Sequence, residues 1–141
     1  MNFKLLEPSH TEAPAFSYYP RLRKVSDYVR HHLAERIPLR TAAAVAGMEA
    51  KYFSSFFHLK TGVCFSDWLL RVRILRAMEM MRSRDDSLTS VAGAVGFNDS
   101  RTFQRGFKRH TAMTPRAFKK SVAPLVGPPH REASSTSRKM P

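Results

Sequence analysis

Leu88-Thr-Ser-Val-Ala-Gly-Ala-Val-Gly-Phe-Asn-Asp-Ser-Arg-Thr-Phe-Gln-Arg-Gly-Phe-Lys-Arg-His110 carries two helical patterns separated by a glycine. In its first half Leu88, Val91, Ala92 and Val95 recur at three and four residues, the period of one helix face. Gly96 ends that helix, because a left-handed backbone costs a glycine least. Asn98 or Asp99 can cap the next helix through a side-chain oxygen. In this second helix Phe103 and Phe107 share one face, while Arg101, Arg105 and Arg109 recur every four residues on another. Lys108 widens the basic stripe. Two short helices around a glycine turn, the second aromatic inside and basic outside, predict a helix-turn-helix with its recognition helix. The competing reading of this stretch alone is an ordinary helical hairpin with a solvated charged face.

The same order occurs once earlier in the chain. Thr41 to Ala46 predicts a short alanine-rich helix ended by Gly47-Met48. Glu49 or Ala50 opens another that reaches about Lys60, with Phe53, Phe56 and Phe57 inward and Lys51, Tyr52 and Ser55 outside. Thr61-Gly62 stops it. Leu39 pairs with Leu88, Ala43 with Ala92 and Gly47 with Gly96 at a constant offset of 49. Beyond the turn the offset is 50, matching Phe53 with Phe103, Phe57 with Phe107 and Lys60 with His110. One extra residue in the second turn accounts for the change. Self-similarity at a fixed period marks repeated units, so the two readings support each other.

Between the copies, Ser66 or Asp67 can cap a longer helix from Trp68 to about Met81. Trp68, Leu69, Val72, Leu75, Met78 and Met81 form its apolar set, broadened by Ile74, Ala77 and Met80. A helix apolar over so much of its circumference predicts a neighbour on two sides, here a small bundle at each. About fourteen residues give a rod of roughly 20 Å. Its methionines read as core filling. Arg73 falls near the packed side and is positioned to tie this helix to a neighbour. Asp85-Asp86-Ser87 then breaks the run and can cap the second copy.

Outside the repeat the sequence is plainer. Residues 1–19 carry Pro8 and Pro14 among Ser, Thr and His, with Phe3, Phe16, Tyr18 and Tyr19, and predict an irregular arm whose last residues pack onto the domain. Pro20 suits the first turn of a helix that runs to about Glu35, with Leu22, Val25, Tyr28, Val29, Leu33 and Ile37 repeating at three and four. Pro38 closes the following connection. Thr114-Pro115, a cap followed by proline at the first helical position, starts a short final helix to about Lys120 anchored by Phe118. From Ser121 to Pro141 no apolar periodicity survives, and the composition predicts disorder. The organisation expected is therefore an arm (1–19), a first helix-turn-helix subdomain (20–62), a linker helix (63–83), a second subdomain (84–120) and a tail (121–141).

The 141 residues carry a formal net charge of +13 and a pI near 10.7. Such a charge argues for a polyanionic partner, nucleic acid or an acidic membrane surface, and says nothing directly about fold. No span of about twenty apolar residues exists, which excludes a helical membrane crossing. The N-terminus lacks the continuous apolar core of a secretory signal. The single Cys64 cannot form an internal disulfide, fits a reducing cytoplasm, and between Val63 and Phe65 reads as a packed thiol.

An enzyme finds little support. The eleven acidic residues are scattered, and the one adjacent pair, Asp85-Asp86, sits where helix capping explains it. One cysteine and no His-x-x-x-His pair give no metal signature, and no phosphate-cradling glycine loop or cofactor motif is present. Basic charge concentrates instead from Arg101 to Lys120, where Arg101, Arg105, Lys108, Arg109, Arg116, Lys119 and Lys120 meet no acidic residue. Arginine can pair bidentately with guanine, whereas phosphate contacts hold register.

These motifs together resemble the DNA-binding domain of the AraC/XylS family of bacterial transcription regulators. The resemblance covers Leu39 to Lys120. It rests on Gly47-Met48, Tyr52-Phe53-Ser54, Phe57 and Thr61-Gly62. In the linker it rests on Trp68, Arg73-Ile74, Ala77 and Met80-Met81. The C-terminal signature is the most specific: Ala92, Val95-Gly96-Phe97, Asp99, Phe103, Arg105, Phe107-Lys108 and Thr114-Pro115. It implies an all-α fold of about seven helices, two of them recognition helices placed in successive major grooves by the linker. The chain departs from the family at Ala42, Glu49, Ser55, His58, Thr102, Ala112 and Phe118. Ser55 stands in place of a frequent DNA-facing arginine and His58 in place of a lysine, so the second unit keeps its basic apparatus better than the first. With no sensing domain seen ahead of these motifs, the resemblance is to the short stand-alone members that act as monomers, the alternative being a piece of a larger regulator.

The function expected is sequence-specific binding to double-stranded DNA near a bacterial promoter, with RNA polymerase as a further partner, in the cytoplasm and with no cofactor. The expected contacts are Lys51, Tyr52 and Ser55 from the first recognition helix. Arg101, Thr102, Arg105, Lys108 and Arg109 follow from the second, and His58, Arg116 and Lys119 at phosphates. A protein-interaction module that sequesters a regulator or polymerase subunit is the alternative, motivated by the sparse charge near Ser55 and by the aromatic side chains of Tyr52 and Phe56.

Overall fold

A computed structural model describes residues 13–126, an all-α chain. Its helices are α1 (Ala15–Tyr18), α2 (Pro20–His31), α3 (Leu39–Ala46), α4 (Ala50–Thr61), α5 (Phe65–Ser83), α6 (Leu88–Ala94), α7 (Ser100–Thr111) and α8 (Pro115–Val126). They form two helix groups, α1–α4 and α6–α8, joined by α5, an arrangement of two tandem helix-turn-helix units.

Each unit has its own apolar cluster, and α5 contributes to both. Phe65, Trp68 and Val72 enter the first cluster with Phe16, Leu22, Val25, Val29, Phe53 and Phe57. Ile74, Ala77, Met78, Met80 and Met81 enter the second with Val91, Ala92, Val95, Phe103, Phe107 and Phe118. The methionines fill core space, and a helix apolar around most of its circumference is packed from two sides. Aromatic rings carry much of the first cluster: Phe57 meets Phe65 at 5.5 Å edge to face, and Phe16 stacks on Trp68 at 5.1 Å.

The turns repeat down to individual hydrogen bonds. Gly47 and Gly62 end α3 and α4 with φ of 72° and 87°, and Gly96 follows α6 with φ of 96°. The Thr61 hydroxyl donates to the Phe57 carbonyl at 2.8 Å and accepts from the Val63 N–H at 3.3 Å. Thr111, fifty residues on, makes the same pair of bonds to Phe107 at 2.8 Å and Met113 at 3.1 Å. Ser87 caps α6 by accepting from the Ser90 N–H at 3.1 Å, and Thr114 caps α8 by accepting from the Ala117 N–H at 3.1 Å.

Several expectations are corrected. The arm predicted as irregular through residue 19 contains a helix, Ala15–Tyr18, with Phe16 buried. Four residues are too few to hold a helix by themselves. Burying one aromatic side chain, worth about 1.5–3 kcal/mol, supplies the stabilisation. The next helix ends at His31 rather than Glu35, where His31 Nδ1 and His32 Nδ1 donate to the Asp27 and Tyr28 carbonyls at 2.8 Å each. The linker helix begins at Phe65, with Cys64 at the N-cap and no side-chain cap from Ser66 or Asp67. Cys64 is exposed, not packed, because its extended backbone turns Phe65 into the core instead. The last helix continues past Lys120 to Val126, since Val122 still packs against the second cluster. The predicted tail is thus helical over 121–126, and its remainder, with Arg131, Arg138 and Lys139, lies outside the described residues, as do residues 1–12.

Candidate nucleic-acid interface

The second turn delivers α7 with its polar face outward. Asp99 caps the helix, accepting from the Thr102 N–H at 2.7 Å and from the Thr102 hydroxyl at 3.1 Å. Those hydrogen bonds, the backbone one first, hold its carboxyl below the ordinary value of 3.8, and as the N-cap the carboxylate sits at the positive end of the helix dipole. Phe103, Gly106, Phe107, His110 and Thr111 are buried. Arg101, Thr102, Gln104, Arg105, Lys108 and Arg109 are exposed on the remaining surface. The side chains of Arg105, Lys108 and Arg109 make no hydrogen bond or ion pair among the described residues, and α7 carries no acidic residue. Arg101, Arg105, Lys108 and Arg109 thus share one exposed face of the helix.

The first unit presents a different face. Glu49 is the N-cap of α4 but its side chain makes no capping bond. Lys51, Tyr52, Ser55 and His58 are all exposed, with 61% of Tyr52 accessible. Phe56, expected inward, is half-buried and meets Tyr19 edge to face at 5.6 Å, while Lys60 lies 5.1 Å above the Tyr19 ring. An open groove of about 750 Å³ runs between the start of α2 and the start of α4, lined by Arg21, Met48, Glu49, Tyr52 and Phe56 among others.

Two expected contact residues have other partners in the structure. The Thr102 hydroxyl is engaged by its own cap, so its side chain holds the helix start. Lys119 is half-buried and donates to the Asp86 carbonyl at 2.7 Å, with the Asp85 carboxylate at 4.0 Å, pinning α8 to the approach to α6. Arg116 is exposed. The charge pattern passes over Ser54 and Gln104, which are exposed at equivalent positions of α4 and α7; the offset of 50 is the signal that pairs them.

Behind this surface, α7 lies close to α5. A Cβ on Gly106 would sit 3.3 Å from Leu70 Cδ1, a tight contact with the end of that side chain. Next to it His110 is buried, its Nε2 3.7 Å from Asp67 Oδ1, while Arg71 holds the other carboxylate oxygen at 2.9 Å. Among the described residues no group of three His, Cys, Asp or Glu could hold a metal ion, and no helix is long and apolar enough to cross a membrane.

Residues 42–121 match the family model described as Helix-turn-helix domain. The chain belongs to that family. Among curated relatives, this helix-turn-helix domain is 30% identical over 95 residues to the uncharacterized HTH-type transcriptional regulator YobQ of Bacillus subtilis, covering 67% of this chain and 39% of the relative. It is 26% identical to the regulatory protein PocR of Salmonella typhimurium, covering 92% of this chain and 45% of the relative. The domain thus spans less than half the length of these curated relatives. The DNA-binding domain of AdpA, a global transcriptional factor crystallised with a target DNA, superposes with a TM-score of 0.71 at 28% identity, covering 75% of this chain and 96% of that one. All three are named as regulators or transcriptional factors and none as an enzyme. The helix-turn-helix domain described here is of the kind carried by bacterial transcription regulators.

Proposed function

We propose that the chain binds duplex DNA sequence-specifically as an AraC-type regulator, with α4 and α7 in successive major grooves of an asymmetric promoter site. The observation that carries this reading is the basic, acid-free outer face of α7, repeated in outline but with less charge on α4. Lys51, Tyr52 and Ser55 form the contact set of the first unit, and Arg101, Arg105, Lys108 and Arg109 that of the second. His58 and Arg116 reach flanking phosphates, while Thr102 and Lys119 act chiefly by fixing α7 and α8. The units of action are 20–62, 63–83 and 84–120. Support comes from the sequence motifs of the family and from the fold shared with a domain crystallised on its DNA target. One chain carries two readers, so the binding species is a monomer and the site has no two-fold symmetry. RNA polymerase is the partner through which promoter binding acts.

Selection from random duplexes followed by footprinting tests the reading. The expected result is an asymmetric site whose two contact regions lie about one helical turn apart. Equal affinity for every sequence at fixed salt would leave only a generic phosphate binder.

A second reading has one observation of its own. Tyr52 and Leu59 of the first unit are exposed by 61% and 75%, and Tyr18, in the short helix just before it, by 75%. A stoichiometric protein partner captured without DNA, together with no specific mobility shift, would favour a protein-interaction module.

A further inference from the structure

Arg73 stands at the boundary between the two apolar clusters, directly after Val72 of the first and directly before Ile74 of the second. Its side chain is buried, yet among the described residues it forms no ion pair with a carboxylate. Nη1 donates to the Leu33 carbonyl at 2.7 Å and to the Val95 carbonyl at 2.8 Å, and Nη2 donates to the Glu35 carbonyl at 3.1 Å. Leu33 and Glu35 lie in the connection between α2 and α3 of the first unit. Val95 is the C-cap of α6, immediately before the turn that leads into α7. One guanidinium therefore joins the loop behind the first reader to the turn in front of the second. Gly96 completes the seat, since a Cβ there would lie 1.3 Å from Arg73 Nη1 and 2.2 Å from the Leu33 carbonyl oxygen. Burial lowers the pKa of Arg73, and the three carbonyl dipoles compensate the desolvated charge.

Among the described residues the two clusters have no buried apolar residue in common and α5 alone contributes to both, so their relative rotation depends on that helix and on the bonds across it. From this geometry we propose that Arg73 is a positioning residue that fixes the phase between the two recognition helices, and so determines the half-site spacing that the protein accepts. The proposal rests on the DNA-binding reading above. Both donors of the fork are engaged in fixed directions, which a flexible point charge would not reproduce. On the DNA side, one added base pair turns the second contact region by about 34° and displaces it along the axis. A protein with locked units cannot follow that change. One with loosened units can.

The experiment measures binding of the intact chain to its selected site and to sites with one base pair inserted or deleted between the contact regions. Wild type is expected to lose about tenfold or more with either change. Arg73→Met, which keeps the aliphatic stem and removes every donor, is expected to lose less than about threefold, from a lower starting affinity. Arg73→Lys, with charge and donors but no fork, should fall between them. Fluorescence of Trp68, buried in the first cluster, together with circular dichroism verifies folding of each protein. If Arg73→Met does not fold, Arg73→Lys decides: discrimination reduced at least about threefold supports the proposal, and wild-type discrimination overturns it. A folded Arg73→Met that rejects altered spacing as sharply as wild type also overturns it. Wild type showing no preferred two-part site would overturn the DNA-binding reading itself, a result distinct from any difference among the variants.

Discussion

His110 Nε2 lies 3.7 Å from Asp67 Oδ1, buried between the recognition helix of the second unit and the first half of the linker helix. The distance is too long for a hydrogen bond, and Nε2 has no hydrogen-bond partner among the described residues. Burial lowers the imidazole pKa below its ordinary 6.5; Asp67 opposes that shift, and the Arg71 and Arg109 charges reinforce it.

The sign of the resulting pH dependence follows. As pH falls through 6.5 the unfolded chain takes up a proton on this histidine before the folded one does. Stability is therefore lost as pH drops from neutral toward the lower folded value, with a slope of at most about 1.4 kcal/mol per pH unit for one proton. His110→Gln should flatten this part of the curve in urea unfolding series run from neutral to mildly acidic pH. The contribution of Asp99, whose carboxyl is lowered, is lost only at and below 3.8, so the two windows separate. An unchanged slope in His110→Gln would remove His110 as the cause.

Gly96 leaves no room for a side chain. Its φ of 96° is strained for an L residue, and the added methyl would overlap Arg73 and the Leu33 carbonyl. Gly96→Ala is expected to cost more than about 3 kcal/mol. Gly62→Ala serves as the comparison: its φ is 87° but nothing lies within 4 Å of an added Cβ, so only the backbone cost of about 1–2 kcal/mol applies. Equal losses in the two variants would show that the crowding at Arg73 is relieved without cost.

Ala112 ends α7 in the left-handed region with φ of 67°, the one non-glycine residue with positive φ among the described residues. Ala112→Gly should stabilise the chain by about 1 kcal/mol and raise Tm by about 4 °C. Since Ala112 is exposed, no lost packing offsets the gain. A calorimetric scan measures it directly, and a fall in Tm would contradict the strain argument.

On the DNA, the charge difference between the units sets the expected division of work. Arg105→Ala should weaken binding to the selected site by about 1–3 kcal/mol, and Ser55→Ala much less. Titrations at two salt concentrations against singly mismatched duplexes distinguish the roles of Arg105. Relaxed selectivity at one base pair marks a base reader, whereas a uniform loss with a shallower salt slope marks a phosphate clamp. Equal damage from Ser55→Ala, with both variants folded, would make the first unit an equal reader.

Features that depend on neighbours a few residues away were legible in the chain alone. Phe53 and Phe57 in one copy, Phe103 and Phe107 in the other, recur at helical spacing and had to face inward. Gly47, Gly62 and Gly96 mark left-handed positions because few other residues take that backbone cheaply. Asp99 and Thr114 carry cap chemistry, and the stripe Arg101, Arg105, Arg109 is basic from composition alone. The same locality made Arg73 legible as a residue on the packed side of its helix. The three carbonyls it binds, 40, 38 and 22 residues away, were decided only by the tertiary structure. So were the helix at Ala15–Tyr18, which exists because Phe16 finds Trp68, and the continuation of α8 to Val126, where Val122 still finds the core. Lys119 and Thr102 read as free polar groups until Asp86 and Asp99 are seen beside them. A period reports which face of a helix is buried. It carries no record of the partner, because a long-range contact depends on how separately formed helices pack, and no local pattern encodes that packing.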